Sequence, residues 1–277
     1  PFVLSGASLV RMERVAEANP RTWFQLYAAE AAADNEQLLR RAAACGIGTL
    51  VVTVDVAVSG NREDDVRNGY TSPLRPTARL ALGALARPRW LWGTALRTWR
   101  QEGLPHFENF SADRAPVLSR TATRVHRRDT FDWASLARLR EVWRGQLVLK
   151  GLLAEQDAEL ARRAGVDAVV VSSHGGRQLS TAVGPARALP DIAGAAGGMA
   201  VFCDGSVRRG GDVAKLCALG ASLAFIGRPM LYAAAVGGVA GVRHAIGLVK
   251  QELLRDLALL GASDVRSLPE LQRVSRR

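Results

Sequence analysis

Apolar and polar positions change places along this chain on the scale of whole elements. Short runs rich in β-branched residues are each followed by a polar or glycine-containing tail: FVLS (2–5), WFQLY (23–27), TLVVTVD (49–55), QLVLKG (146–151), DAVVVSS (167–173), MAVFCDG (199–205) and LAFIG (223–227). Between them lie stretches with helical spacing at 35–45, 133–143, 154–164 and 211–219. Strands that are apolar throughout are buried on both faces, and their alternation with helices predicts parallel βα units. The expected fold class is α/β, a TIM (β/α)8 barrel. Seven strands are visible, whereas a closed barrel needs eight, and seven leave two unpaired edges. The tally places the first strand upstream of Pro1, and it predicts poor stability for the chain as it stands.

One interruption breaks the rhythm. Residues 71–128 contain five prolines and the fragment ARPRWLWGTALRTWRQ (86–101), with three of the six tryptophans. A connection this long in a compact domain is functional or a solvated lid. The chain is read as a single barrel domain, 1–277, carrying this insertion.

Composition changes the picture in two places. Of the net charge of +11, the 71–128 segment supplies +8, from eleven arginines against three acidic residues, so contact with an anionic partner is concentrated there. Cys45, Cys203 and Cys217 sit in apolar segments without C-x-x-C spacing and are expected to be buried thiols in a reducing compartment. No metal site is expected. No signal-peptide pattern opens the chain, and no unbroken apolar run reaches the roughly 18 residues of a membrane span.

The chemistry gathers at strand ends, where parallel barrels keep their working residues. These ends carry Ser5, Gln25, Tyr27, Thr53, Asp55, Lys150, His174, Arg177, Asp204, Arg208, Gly227 and Arg228. A lone histidine is most often structural; convergence of this many polar ends points to a site. CDGSVRRGGDVAKLCALGA (203–221) and FIGRPMLY (225–232) each run from strand through glycine toward a helix. Gly205 and Gly227 would admit an anion to backbone N–H groups, helix N-termini would add their dipoles, and Arg208 and Arg228 would add charge.

Five blocks, WFQLY, TVDVAVSGNREDDVRNGY, LVLKGL, SSHGGRQLS and the 203–221 stretch, together resemble the FMN-dependent α-hydroxy-acid dehydrogenase/oxidase family. PFVLSGAS, TVDVAVSGNRE and Arg87-Pro88-Arg89-Trp90-Leu91-Trp92 lean toward its mandelate and lactate dehydrogenases. The resemblance implies FMN as cofactor and oxidation of a small (S)-2-hydroxy acid to the 2-keto acid. It makes His174 the base for the substrate hydroxyl while the α-hydrogen leaves toward the flavin; a carbanion route through the same histidine is the competing description. It pairs Asp55 with His174, gives the substrate carboxylate to Arg62 and Arg177, and adds a hydroxyl contact from Tyr27. Lys150 falls near flavin N1/O2, Ser5, Gln25 and Thr53 on the ring, and Asp204, Gly205, Arg208, Gly227 and Arg228 on ribityl and phosphate. Against these stand plainer roles, with Lys150 at the rim, Asp55 as a helix cap, Arg62 as a solvated charge and Tyr27 as packing. One departure is Ser173, where the family carries Asn before the histidine.

For the insertion, Trp90, Trp92 and Trp99 with their arginines suit peripheral contact with an anionic lipid surface, from which electrons would pass to a membrane quinone. The expected location is cytoplasmic, peripheral on the inner face of the membrane, and the expected assembly a homotetramer. An oxygen-using oxidase is the alternative within the class. A catalytically inactive barrel that binds anionic surfaces through its basic loop is the alternative outside it. No nucleic acid is expected, because no recognised binding motif accompanies the arginines.

Overall fold

A computed structural model describes residues 1–29, 31–70, 74–110, 114–118 and 130–270. It divides into two compact units, Pro1–Leu147 and Val148–Arg277.

In the first unit, β1 (Phe2–Ser5), β2 (Thr22–Tyr27) and β3 (Thr49–Thr53) run parallel, with Leu4 opposite Phe24 and Leu26 opposite Val52. The run Leu50–Thr53 is buried throughout, as expected of a strand covered on both faces. Helices α1 (Met12–Ala18) and α2 (Ala32–Ala44) follow β1 and β2. Met12, Phe24, Leu26, Leu38 and Leu50 are almost wholly removed from water, and each such side chain contributes about 1.5–3 kcal/mol. A bidentate ion pair ties α1 to α2: Arg41 Nε donates to Glu13 Oε1 (3.0 Å) and its Nη2 to Oε2 (3.2 Å).

Residues 78–85 and 88–102 of the 71–128 insertion are helical, where the sequence indicates only a long connection. After α3 (Glu63–Arg67) come α4 (Ala78–Leu85), α5 (Pro88–Trp90), a π-helical stretch Leu91–Leu96, and α6 (Arg97–Glu102). Thr77 Oγ1 accepts from Leu80 N to cap α4, and Pro88 opens α5 at the position where a missing N–H does no harm. The remainder of that expectation, 71–73, 111–113 and 119–128, lies outside the described residues. Beyond the helices, Asn109 is fully buried; its Oδ1 accepts from Met12 N (2.9 Å) and its Nδ2 donates to Val10 O (2.7 Å). The stretch that follows α6 is thereby stapled to the β1–α1 loop. Helix α7 (Trp133–Val142) closes the unit, capped by Asp132.

In the second unit, β4 (Gln146–Leu152, continuing from the first), β5 (Ala168–Val171), β6 (Ala200–Cys203) and β7 (Leu223–Ala224) are again parallel. Its helices are α8 (Glu155–Arg163), α9 (Pro185–Ala195), α10 (Gly210–Ala218) and α11 (Arg228–Leu259). β4 carries a bulge at Gly151 (φ 115°), so that Lys150 pairs with Val170 but Leu152 with Val171. Helix α10 lies so close to α11 that a Cβ on Gly210 would come within 2.2 Å of Leu253 N. Ala214, Cys217, Leu257 and Leu268 form the core there.

Three expectations change. The last strand is two residues long rather than five, because the chain turns into α11 directly after Gly227. Cys203 and Cys217 are buried but Cys45, at the end of α2, is only half-buried. Helix α11 was not visible as an unbroken apolar run, yet an 18-residue window within it reaches a mean hydropathy of 1.3 with none of that window buried. By length and composition it could cross a membrane; its backbone breaks at Gly238 (φ 54°, ψ −138°).

Candidate functional site

The strand ends of the first unit bring three expected residues together. Gln25 on β2 and Thr53 on β3 are buried, and Gln25 Nε2 donates to Thr53 Oγ1 (2.8 Å). Ser5 at the end of β1 accepts from Ala7 N (3.2 Å), while Gly6 N donates to Gln25 O (2.7 Å). The backbone after β1 is therefore laid against β2. Tyr27, at the β2 end, meets Phe110 from the insertion with ring centroids 6.0 Å apart. Asp55 is half-buried just past β3, and Arg62 stands exposed at the N-terminus of α3.

The second unit builds the more connected arrangement. Lys150 Nζ lies 3.1 Å from Asp204 Oδ2 and donates to Ser172 Oγ (2.8 Å), with both ionic side chains largely shielded. A rim lysine would be mostly exposed and solvated, so that reading fails. Asp204 Oδ1 is buried and has no hydrogen-bond partner among the described residues. A buried carboxylate oxygen left so is costly unless a ligand hydroxyl or N–H completes it.

β5 ends in a left-handed turn. His174 (φ 54°), Gly175 (φ 67°) and Gly176 (φ 73°) succeed one another with positive φ. Glycine does this freely; histidine does so at a cost of about 1–2 kcal/mol. Strain of this kind collects at functional sites. His174 N donates to Ser172 Oγ (3.0 Å), and Arg228 Nη2 reaches across to Gly175 O (2.9 Å). Arg177 follows, exposed. Arg228 here braces the turn that carries His174, a contact its sequence position did not suggest.

At the two strand ends expected to cradle an anion, the structure shows sharp turns and engaged helix-start donors. Gly205 (φ 103°) and Ser206 (φ 60°) turn the chain sharply after β6, and Gly227 precedes α11 with open space where a Cβ would be. At α10, however, the backbone donors are committed: Arg208 N and Arg209 N go to Asp212 Oδ2 (3.0 and 3.1 Å) and Gly210 N to Glu252 Oε2 (2.9 Å). What Arg208 offers an anion is its exposed side chain. Cys203, next to Asp204, is inert: burial first, and the Asp204 charge second, push its thiol up to about 12. Ser172, Asn109 and Phe110 are the residues that sequence reading missed. The first was legible only as a strand terminus, and the others lay in a stretch with no recognisable pattern.

A family described as FMN-dependent dehydrogenase matches residues 1–274. L-lactate dehydrogenase of Xanthomonas campestris pv. campestris is 39% identical over 100% of this chain and 72% of its own length. That of Caulobacter vibrioides (strain NA1000 / CB15N) is 39% identical over 98% and 71%. Among solved structures, the monotopic membrane protein (S)-mandelate dehydrogenase is 34% identical, covering 97% of this chain and 71% of that one, with a TM-score of 0.84. Mandelate oxidase with (S)-2-phenylpropionate is 34% identical over 98% and 68%, with a TM-score of 0.77. The likeness fixes the fold class as the parallel (β/α) barrel type, to which the described residues contribute seven strands.

Proposed function

Because the chain belongs to the FMN-dependent dehydrogenase family, as a flavin-dependent oxidoreductase of the 2-hydroxy-acid dehydrogenase and oxidase class, we propose that it converts a small (S)-2-hydroxy acid, lactate- or mandelate-like, to the 2-keto acid. The observation that carries this reading is the chain Asp204–Lys150–Ser172–His174, which joins a shielded ammonium to a strained histidine at a strand mouth.

The residues fit the cofactor. The unfilled, buried Asp204 Oδ1 suits a ribityl hydroxyl. The amide and hydroxyl of Gln25 and Thr53, with Ser5, suit the polar edge of the ring. The open Gly227 turn and the exposed Arg208 suit the phosphate; Arg228 joins them if its guanidinium is shared with Gly175 O. When bound, FMN supplies a two-electron acceptor.

The protein's own residues supply the rest. Arg177 and Arg62 present planar forks that match the two oxygens of a carboxylate and so orient the acid. Tyr27 adds a hydroxyl donor. His174 takes the proton from the substrate hydroxyl, and Asp55 is assigned to stabilise the imidazolium that results. Lys150 holds a fixed positive charge where negative charge accumulates, an electrostatic contribution that needs no reorganisation during the reaction.

A quinone at the membrane is the proposed acceptor, with the insertion as the docking element. Trp90, Trp92 and Trp99 are 49%, 66% and 59% exposed, beside Arg87, Arg89, Arg97 and Arg100. One relative of solved structure is a monotopic membrane protein. A cytoplasmic inner-face location and a homotetramer complete the proposal.

Anaerobic mixing of the FMN-loaded protein with a panel of (S)-2-hydroxy acids is the test. Bleaching of the flavin absorbance is expected with at least one aliphatic or aromatic member, followed by fast re-oxidation with a quinone analogue and slow re-oxidation with oxygen. Equal rates with oxygen would favour an oxidase, and no bleaching with any acid would end the enzymatic reading.

A further inference from the structure

The stretch that follows α6 carries an aromatic side chain onto Tyr27. Phe110 and Tyr27 stand with ring centroids 6.0 Å apart and planes inclined at 33°, inside the range of about 4.5–7 Å in which aromatic pairs attract beyond their shared burial. Both residues are half-buried. Tyr27 is the last residue of β2, paired with Thr53 on β3, whereas no motif singles out Phe110. We propose that Phe110 is a positioning residue that sets the ring of Tyr27 and, through it, the phenol hydroxyl, an inference that rests on the substrate contact given to Tyr27 above.

The backbone that delivers Phe110 is fixed before the ring is reached. Glu108 N donates to Ser8 O (3.1 Å), and Glu108 O accepts from Arg41 Nη1 on α2 (3.2 Å). Asn109, fully buried, accepts from Met12 N through Oδ1 and donates to Val10 O through Nδ2. Two consecutive residues are therefore tied by four hydrogen bonds to the β1–α1 loop, the start of α1 and α2, and Phe110 follows directly. Tyr27 meets the same loop. A Cβ on Gly6 would stand 3.6 Å from Tyr27 Cδ2 and 3.5 Å from Asn109 O, so the turn after β1, the tyrosine ring and the Asn109 carbonyl gather at one place. The hydroxyl lies at the far end of that ring, and a small swing in χ1 moves it further than any other atom of the side chain. A flat neighbour on a pinned backbone opposes the swing. An aliphatic side chain of similar bulk, with more staggered rotamers open to it, opposes it less.

The decisive variant is Phe110→Leu, which removes the ring and keeps most of the bulk. Its first readout needs no substrate. The chain has three tyrosines, Tyr27, Tyr70 and Tyr232, so labelling the FMN-loaded protein with 3-fluorotyrosine gives one fluorine resonance for each, and the Tyr27 signal is assigned by its loss in Tyr27→Phe. Phe110→Leu is expected to move the Tyr27 resonance and leave the other two in place. The second readout is kinetic, with a hydroxy acid that bleaches the flavin. kcat/KM should fall about tenfold in Phe110→Leu, within the roughly 100-fold that a displacement of about 1 Å can cost. Phe110→Tyr, unlabelled, keeps the ring and should hold kcat/KM within about twofold of the parent. In a Tyr27→Phe background, Phe110→Leu should cost less than about twofold more, as expected when one residue acts through another. Phe110→Met, also without a ring, carries the same readouts if the leucine variant fails to fold. An unmoved Tyr27 resonance or an unchanged kcat/KM would overturn the proposal. So would an equal loss of kcat/KM with and without the Tyr27 hydroxyl, the pattern of a residue that only packs. The resonance is read without substrate, so its outcome is separate from whether any hydroxy acid bleaches the flavin.

Discussion

The site region holds two non-glycine residues in the left-handed region for different reasons. His174 belongs to the turn that presents the base, and two side chains brace that turn: Ser172 from below and Arg228 from α11. Ser206 (φ 60°), exposed after β6, has no comparable assignment, because its side chain enters none of the hydrogen bonds that shape the α10 start. Its Cβ is therefore strain without return. Ser206→Gly is expected to stabilise the protein by about 1 kcal/mol, seen as a rise in Tm of about 2 °C in differential scanning calorimetry. An unchanged or lower Tm would show that the serine repays its strain through a contact of its own. The same substitution at His174 would relieve strain too, but it would remove the base.

Among the elements, helices α1 and α2 illustrate how charge links neighbours. Burial alone would raise the Glu13 carboxyl, but a backbone hydrogen bond, the Arg41 guanidinium and the Arg11 charge together hold it below its ordinary value of 4.5. A depressed carboxyl contributes stability that is fully present above its unfolded value and is lost as pH falls through its folded value. The pair is partly solvated, with Glu13 36% exposed, so the effect is modest. Glu13→Gln is expected to flatten the dependence of the urea midpoint on pH below about 5 while changing it little at pH 7. An unchanged acid slope would remove Glu13 from the account. The insertion shows the opposite economy. Its helices leave Leu82, Leu85 and the three tryptophans in water, and its anchors are polar, among them Asn109, buried against the β1–α1 loop, and Glu102, paired with Arg14 on α1.

For the molecule as a whole, the charge and the exposed aromatic surface point the same way. Eight of the eleven net positive charges fall within 71–128, and the described helices of that segment carry the exposed tryptophans. Arginine near an anionic bilayer and tryptophan at its interface reinforce each other. Deleting 84–103 is expected to abolish co-sedimentation with vesicles containing anionic lipid, and about 0.5 M salt should weaken binding of the intact protein by screening. Retained binding after the deletion would shift attention to the apolar, exposed window of α11.

The sequence by itself determined the alternation of buried strands and helices, the family, the cofactor and the residue types at the strand ends. These are carried by local periodicity and by short motifs such as His174-Gly175-Gly176-Arg177, in which neighbours in the chain are neighbours in space. Gly175 and Gly176 could be read as turn-formers because a positive φ is a property of the single residue. Tertiary structure alone decided that Lys150 meets Ser172, 22 positions away, that Asn109 staples a loop 97 positions away, and that Arg228 braces a turn 53 positions away. It also decided that residues 78–85 and 88–102 of the proline-rich insertion are helical and that Trp90, Trp92 and Trp99 are exposed. Hydrogen bonds of this reach leave no periodic trace in the chain. They form only once packed strands bring distant residues within about 3 Å, where a polar group removed from water has to find a partner.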